Sequence, residues 1–257
     1  MTEYIMLSKE ILKHVHKIQQ KKHRQELGEF LIEGVKGVEE ALKGGEVKTV
    51  FVEETRRNEP EMAQILAQAS GRKIEYLFVG RKDIGEIKTT ETYPGVSAIV
   101  KMPFVSFEDI THGSILCLDQ VNDPGNLGTI IRTADWFGVT NILLSEGSVD
   151  PYNEKVVRST MGSLFHTKIF ETEDLVETLE ELKEKGYHLY ALTLGGKDIS
   201  ELKPSPKSVY IFGSESHGIR EEILELCDGT YTIPGKGGAE SLNVGVAVGV
   251  VLHSIMS

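Results

Sequence analysis

"GKGGAESLNVGVA" occupies residues 235–247, and its reading decides the fold of the second half of the chain. Three glycines lead into a polar run, Ser241-Leu242-Asn243, after which Val and Gly alternate into what reads as a last helix over 241–256. A glycine inside a helix costs about 1 kcal/mol against Ala. Gly245 and Gly249 therefore need a reason. Four residues apart, they bare one helix face, and another backbone can lie against it. Ser241 stands where a residue could cap that helix. The strand "TYTIP" precedes the whole segment.

Working outward, strands are expected at 115–121, 141–145, 166–170, 187–194, 208–213 and 229–234. Helices are expected at 125–138, 154–164, 173–185 and 219–227, besides the last one. Such alternation gives a mostly parallel sheet covered by helices on both faces. Ligands of these sheets bind at the carboxyl ends of strands. The first half reads as a smaller α/β unit. It has an amphipathic helix over 5–24, strands at 29–34, 47–53, 73–79 and 95–102, and helices at 35–45, 60–70 and 81–88. Residues 103–114 have the look of a linker, so the expected domains are 1–105 and 112–257.

Composition limits what the chain can do. It has 257 residues, 40% of them hydrophobic, and a net charge of −11, which argues against general polyanion binding. The charge is uneven. Residues 1–105 carry 17 Lys and Arg against 16 Asp and Glu, a net of +1; the remainder carries 11 against 23, a net of −12. Within residues 5–24, Lys9, Lys13, Lys17 and Lys21 repeat every fourth position opposite an apolar stripe of Ile11, Leu12, Val15 and Ile18. That row reads either as a solvated face or as a polyanion contact. Cys117 and Cys227 lack a CxxC partner and read as buried, reduced thiols of a cytosolic protein. The longest apolar run, Val244–Leu252, falls well short of the roughly 20 residues of a membrane span.

Three segments that follow strands carry the informative residues. In "VNDPGNLGTIIRTADWFG" (121–138) a Pro-Gly turn opens a helix whose stripe is Leu127, Ile130, Ile131, Ala134 and Phe137. Taken alone, Asn126 there reads as a cap and Arg132 as a surface residue. In "VYIFGSESHGI" (209–219), Glu215 falls near an expected helix start, where a carboxylate is favourable on dipole grounds. The third segment is 235–247. Standard motifs fail here. Gly213 and Gly218 have P-loop spacing, but Ile219 and Arg220 follow in place of Lys and Ser or Thr. "GNLG" is no dinucleotide fingerprint. A hydrolase triad of Ser216, Asp228 and His253 keeps a permitted order. The histidines show no metal-ligand spacing.

Together, "NDPGNLGTIIRTA", "FGSESHGI" and "IPGKGGAESLNVGVA" resemble the three signature motifs of the SpoU (TrmH-like) branch of SPOUT RNA methyltransferases, in order and in approximate spacing. "DPYNEKVVRSTMGSLFH" (150–166) resembles the stretch after the first motif, and "FLIEGVKGVEEAL" (30–42) is similar to the substrate-binding domain such enzymes carry. The resemblance implies a catalytic domain tied in a trefoil knot, a homodimer in the cytoplasm, and S-adenosylmethionine as methyl donor without a metal. It implies ribose 2′-O-methylation of structured RNA, ribosomal or transfer, with ribosomal RNA favoured. By matching motif positions, Asn126, Arg132, Glu215, Ser241 and Asn243 would form the catalytic group. Gly213, Ile233 and Leu242, with Thr193-Leu194-Gly195 after an earlier strand, would hold the cofactor. The glycines of 235–238 would turn the chain tightly around that cofactor, and Gly245, Ala247 and Gly249 would let the last helix approach neighbouring backbone in the knot and the dimer interface. Two positions depart from the pattern: Gly235 stands where Met is common, and Gly245 replaces a frequent Ser. Two other readings stand beside this one: a serine hydrolase using Ser216, and a catalytically silent RNA-binding protein of the same fold.

Overall fold

The computed structural model describes residues 7–256. Contacts divide it into two units: residues up to 104 with Tyr152–Phe165, and Val105–Pro151 with residues from 166 on. The segment 152–165 thus belongs to the first unit, although the sequence reading placed it in the second domain.

In the first unit, α1 (Lys9–Ile18) starts at Ser8, whose side chain accepts from the Ile11 N–H. Val15 and Ile18 are its buried positions, as the stripe requires. The expected single helix over 5–24 is two helices; residues 5 and 6 lie outside the described residues. Gln20 is extended, and α2 (Lys21–Leu27) begins after it. Buried Arg24 folds back and donates to the Ile18 carbonyl at 2.7 Å, occupying an end group of α1. Lys21 therefore opens its own helix and does not continue the row of Lys9, Lys13 and Lys17.

The chain then gives β1 (Glu29–Glu33), α3 (Val35–Gly44), β2 (Val47–Glu53), α4 (Pro60–Gly71), β3 (Glu75–Val79), α5 (Arg81–Ile87) and β4 (Val96–Lys101). The sheet order is β1-β4-β2-β3. β4 runs antiparallel to both neighbours, and β3 is a parallel edge strand beside β2. Within this unit, Phe30 packs against Tyr152 and Phe165, with ring centroids 5.1 and 6.3 Å away.

In the second unit the expected linker holds a short helix, α6 (Phe107–Ile110), closed by a capping box between Ser106 and Asp109. Then come β5 (Ile115–Asp119), α7 (Pro124–Trp136) and β6 (Asn141–Ser145). The next helix, α8 (Glu154–Ser159), is the one that packs in the first unit; it stops five residues before the expected end. β7 (Lys168–Thr172), α9 (Leu175–Glu184), β8 (His188–Asp198), β9 (Ser208–Gly213), α10 (Glu221–Leu226), β10 (Gly229–Thr232) and α11 (Val244–Met256) complete it.

The six strands are all parallel, in the order β10-β8-β9-β5-β6-β7. From β5 the chain builds outward through β6 and β7, then crosses to the other side to lay down β8, β9 and β10. The strand order reverses between β5 and β9, the place where such sheets gather ligand-binding loops. One face buries Cys117, Leu143, Leu189, Ala191, Val209 and Ile211 against Leu175, Leu179 and Leu182 of α9. A fully buried Leu or Ile contributes roughly 1.5–3 kcal/mol. Cys117 is in this core, whereas Cys227 is only half-buried and donates its thiol to the Ile223 carbonyl.

Two elements differ from the sequence reading in a way that matters for the site. β8 does not end at 194. Its ladder with β10 passes from Ala191↔Thr230 directly to Lys197↔Tyr231, so residues 192–196 form a detour inside the strand. Gly196 returns the chain with φ +141°; a Cβ there would stand 2.6 Å from the Thr230 carbonyl oxygen. The last helix begins at Val244, and its cap is Asn243, not Ser241: the Asn243 carboxamide oxygen accepts from the N–H groups of Gly245 and Val246 at 2.9 and 3.3 Å. Within the chain, Gly245 and Gly249 leave room for side chains of α7. A Cβ on each would meet the methyl carbons of Thr129 and Thr133 on α7, at 3.4 and 3.7 Å.

Candidate functional site

The two loops that flank the reversal point carry two of the three motifs. After β5, Asp123 caps α7 by accepting from the Asn126 N–H at 2.7 Å. Pro124 at the first helical position needs no N–H partner. Because Asp123 does the capping, the Asn126 side chain is free for other work. Its Nδ2 donates to Glu215 Oε1 across a gap of 89 residues. Its Oδ1 accepts from Asn243 Nδ2 at 2.8 Å. One carboxamide therefore joins the loops after β5 and β9 to the cap of α11.

The loop after β9 is built to present Glu215. Glu215 does not sit at a helix start, since α10 begins six residues later. It lies at the tip of a closed turn in which Ser214 and Gly218 exchange backbone hydrogen bonds of 3.1 and 2.9 Å. The returning backbone crosses directly over Gly213. A Cβ on Gly213 would fall 2.0 Å from the carbonyl carbon of Gly218 and 2.3 Å from the Ile219 nitrogen. Only glycine fits there. Arg220 then anchors the far end of the loop. Its backbone N–H and Nε reach the Asp119 carboxylate at 3.0–3.2 Å, and its terminal nitrogen lies 3.0 Å from the same group. Asp119 ends β5 and is 1% exposed. The sequence reading did not single out Asp119 or Arg220. Their only early sign was an acid at a strand end and a base just after the second motif.

Two of the expected residues stand apart from this cluster. Arg132 is exposed and makes no hydrogen bond or ion pair among the described residues. Six residues beyond Asn126 on a helix, it lies about 120° round the axis and roughly 9 Å further along. Ser241 is exposed and likewise unbonded among the described residues. The cofactor candidates lie along the same carboxyl edge. Thr193, Leu194 and Gly195 occupy the β8 detour, where Thr193 Oγ1 donates to the Gly195 carbonyl and Thr232 Oγ1 donates to that of Leu194 at 3.3 Å. Leu194 and Leu242 are exposed by 77% and 48%, and Ile233 is half-buried. The glycines 235, 237 and 238 meet nothing: no Cβ there would find an atom within 4 Å, and none has a positive φ.

The hydrolase constellation does not assemble. Asp228 accepts from the Leu189 N–H at 2.8 Å, at the amino end of β8, and ion-pairs with Lys183. Ser216 lies past the carboxyl end of neighbouring β9, at least one strand length of about 15 Å away. His253 sits beside Phe137, with ring centroids 6.2 Å apart. Among the described residues, no group of three or more His, Cys, Asp or Glu could hold a metal ion, and no helix is long and apolar enough to cross a membrane.

In the first unit, Lys9, Lys13, Lys17 and Lys21 are all exposed, and none is held in an ion pair among the described residues.

Residues 113–253, more than half of the chain, match the SpoU rRNA Methylase family. The chain belongs to the SpoU rRNA methylase family. Residues 9–98 match the MRM3-like substrate binding domain. Over 241 residues the chain is 34% identical to the 23S rRNA (guanosine(2553)-2′-O)-methyltransferase RlmP of Bacillus subtilis, covering 93% of each chain. It is 32% identical to the AdoMet-bound rRNA methyltransferase from Sinorhizobium meliloti, with a TM-score of 0.84 over 98% of this chain and 96% of that one. The SpoU methyltransferase AviRb from Streptomyces viridochromogenes, in complex with AdoMet, shares the fold with a TM-score of 0.86 at 24% identity, covering 97% of each chain. Within the SpoU family frame, the joined Asn126, Glu215 and Asn243 come one from each of the three motif segments.

Proposed function

We propose that this chain transfers a methyl group from S-adenosylmethionine to a ribose 2′-hydroxyl of ribosomal RNA. The observation that carries the reading is the bonding of Asn126 to both Glu215 and Asn243, which closes three remote segments into one site at the reversal point of the sheet. Kinship with an rRNA 2′-O-methyltransferase supports the substrate.

The residues at this edge fit the cofactor. Leu194 and Leu242 expose apolar surface on the carboxyl edge that also carries the polar cluster, and the 193–195 and 213–218 segments belong to the same edge. Thr193, Leu194, Gly195, Gly213, Ile233 and Leu242 hold the nucleoside part, largely through main chain. When bound, S-adenosylmethionine supplies a methyl group already activated by its sulfonium. Asn126, Glu215 and Asn243 fix the loops around it, so that the incoming hydroxyl is held in line. Ser241, beside Asn243, adds a hydroxyl to the same rim. Arg132 binds an RNA phosphate and stabilises the alkoxide that develops as the hydroxyl gives its proton to solvent water and takes the methyl group. Arginine retains its own proton too firmly to act as the base.

The working form is a cytoplasmic homodimer with a trefoil-knotted catalytic domain. Exposed Trp136, Val246 and Val250 on α7 and α11 support an interface for a second copy, and Arg132, one turn from Trp136, lies beside it. The first unit recognises RNA, with Lys9, Lys13 and Lys17 on one face of α1 and Lys21 at the start of α2 contacting phosphates.

Mapping ribose 2′-O-methylation in ribosomal RNA from cells with and without the protein tests the reading. One nucleotide should lose its mark. An unchanged map, with purified protein that binds no S-adenosylmethionine, would refute it.

A further inference from the structure

Outside the catalytic edge, neither the motifs nor the lysine row accounts for "RKIEYLFVGRK" at residues 72–82. It contains β3, the edge strand of the first unit's sheet, with a basic pair at each end. Side chains alternate along a strand. Leu77 and Val79 turn inward to the cluster of Val15, Ile18, Phe51 and Ile87. Tyr76 and Phe78 therefore share the opposite face. Their ring centroids are 5.9 Å apart at 71°, and Tyr76 is 40% exposed. The Arg57 guanidinium lies over the Phe78 ring, 6.0 Å from its centroid.

The charge on this strip is one-sided. Arg57, Arg72, Lys73, Arg81 and Lys82 make no ion pair among the described residues; Arg72 reaches only the Gly45 carbonyl, at 3.4 Å. The nearest strand carboxylates lie on the other face. Glu75 alternates with Tyr76 and accepts from Thr49, and Glu53 pairs in register with inward-facing Val79. An exposed tyrosine beside a half-buried phenylalanine, with an arginine over the phenylalanine ring and unpaired cations at both ends of a strand of about 17 Å, matches the chemistry of an unpaired polynucleotide: bases with π faces on a phosphate backbone.

We infer that the Tyr76–Phe78 face of β3 is a stacking platform for a single-stranded segment of the RNA substrate, with the flanking phosphates held by Arg72, Lys73, Arg81 and Lys82. The inference rests on the RNA-methylating reading above and adds to it a recognition element distinct from α1. It selects for an unpaired loop or bulge, since bases inside a duplex cannot offer their faces.

The test uses the full chain and a labelled, unstructured RNA of about 12 nucleotides, beside the same sequence annealed to its complement. Tyr76→Ala should weaken single-strand binding by about 5- to 150-fold, the alanine cost of one stacked base. Tyr76→Phe should stay within about twofold of wild type, because stacking needs the ring and not the hydroxyl. Arg81→Ala with Lys82→Ala should flatten the slope of log affinity against log salt by roughly 1.4, for two phosphates. Duplex and S-adenosylmethionine affinities should hold in all variants. Single-strand affinity unchanged in Tyr76→Ala overturns the platform and leaves the methylating reading intact. A loss accompanied by a shift in sedimentation coefficient overturns it too, since the face would then be holding a second copy of the chain. A wild-type protein that binds S-adenosylmethionine but no RNA at low salt removes both readings together.

Discussion

Gly213→Ala is the sharpest perturbation the catalytic edge allows. The added methyl would start 2.0 Å from the Gly218 carbonyl carbon, 2.1 Å from its oxygen and 2.3 Å from the Ile219 nitrogen. All three are backbone atoms, so no side chain can swing aside. Reaching an ordinary contact of 3.4 Å requires the crossing strand to retreat by about 1.4 Å. That motion strains the paired bonds between Ser214 and Gly218 and pulls Arg220 from Asp119. Two or so weakened bonds at about 0.5–1.5 kcal/mol each amount to a loss of roughly 2 kcal/mol. For a chain of this size that lowers the melting temperature by about 4–8 °C. The rate should suffer more, because a misplacement of about 1 Å around a reacting group costs on the order of 10². Methyl transfer measured with tritiated S-adenosylmethionine at saturating RNA should fall about a hundredfold, and calorimetry should show weaker cofactor binding. Gly218→Ala is the control. Its φ is +69° but no atom lies within 4 Å of the new methyl, so it should cost only the roughly 1–2 kcal/mol of a left-handed residue. Gly213→Ala with near-normal turnover and cofactor affinity would refute the claim that the loop path sets the site.

Arg132→Ala should lose about 10²–10³ in turnover while keeping cofactor affinity within a few-fold; near-normal turnover would make it a plain surface residue. Trp136→Glu should turn a dimer into a monomer by sedimentation, since it puts a charge on a side chain 84% exposed at the proposed interface. Replacing Lys9, Lys13 and Lys17 with Gln should flatten the salt slope of RNA binding by about 2 units and leave cofactor affinity alone. Glu40 supplies a pH test. A bond from Lys36 at 2.7 Å, opposed by burial and reinforced by Lys43, holds its carboxyl down at about 2. Its contribution to stability is complete above the ordinary value of 4.5 and is lost as pH falls from there toward 2. Acid unfolding curves of Glu40→Gln should therefore lack part of the wild-type slope in that window.

Much of the fold was legible because its signals are local. The strands 47–53, 141–145 and 208–213 have the bounds that their apolar runs and flanking turns dictate. The carboxyl edge where Asn126, Glu215 and Asn243 meet followed from alternation, whereas the strand order that places the reversal between β5 and β9 did not. What was illegible depends on partners remote in sequence. Asp119 and Arg220 are 101 residues apart, and nothing in either neighbourhood announces the other. The detour at 192–196 is imposed by the register with β10, which periodicity within β8 cannot reveal. The break at Gln20 depends on Arg24 turning back to Ile18, which the continuous lysine row conceals. Glycine content alone does not rank the positions: Gly196 and Gly213, lone glycines at or near strand ends, are where a Cβ would run into backbone.

The three joined side chains also have a direction. Asn243 accepts from the first N–H groups of α11, so its oxygen is committed to the helix and its amino group must point away. Asn126 must then meet that amino group with its own oxygen, which leaves its amino group for the Glu215 carboxylate. Every donor points the same way, from the positive end of a helix to an anion, and neither amide can be turned over. The arrangement works as a one-way latch. Aspartate, the same shape as asparagine, would set acceptor against acceptor at one step: toward the Glu215 carboxylate at position 126, and toward the Asn126 oxygen at position 243. Changes at 126, 215 and 243 should consequently not add: once one link is lost, losing a second removes little more.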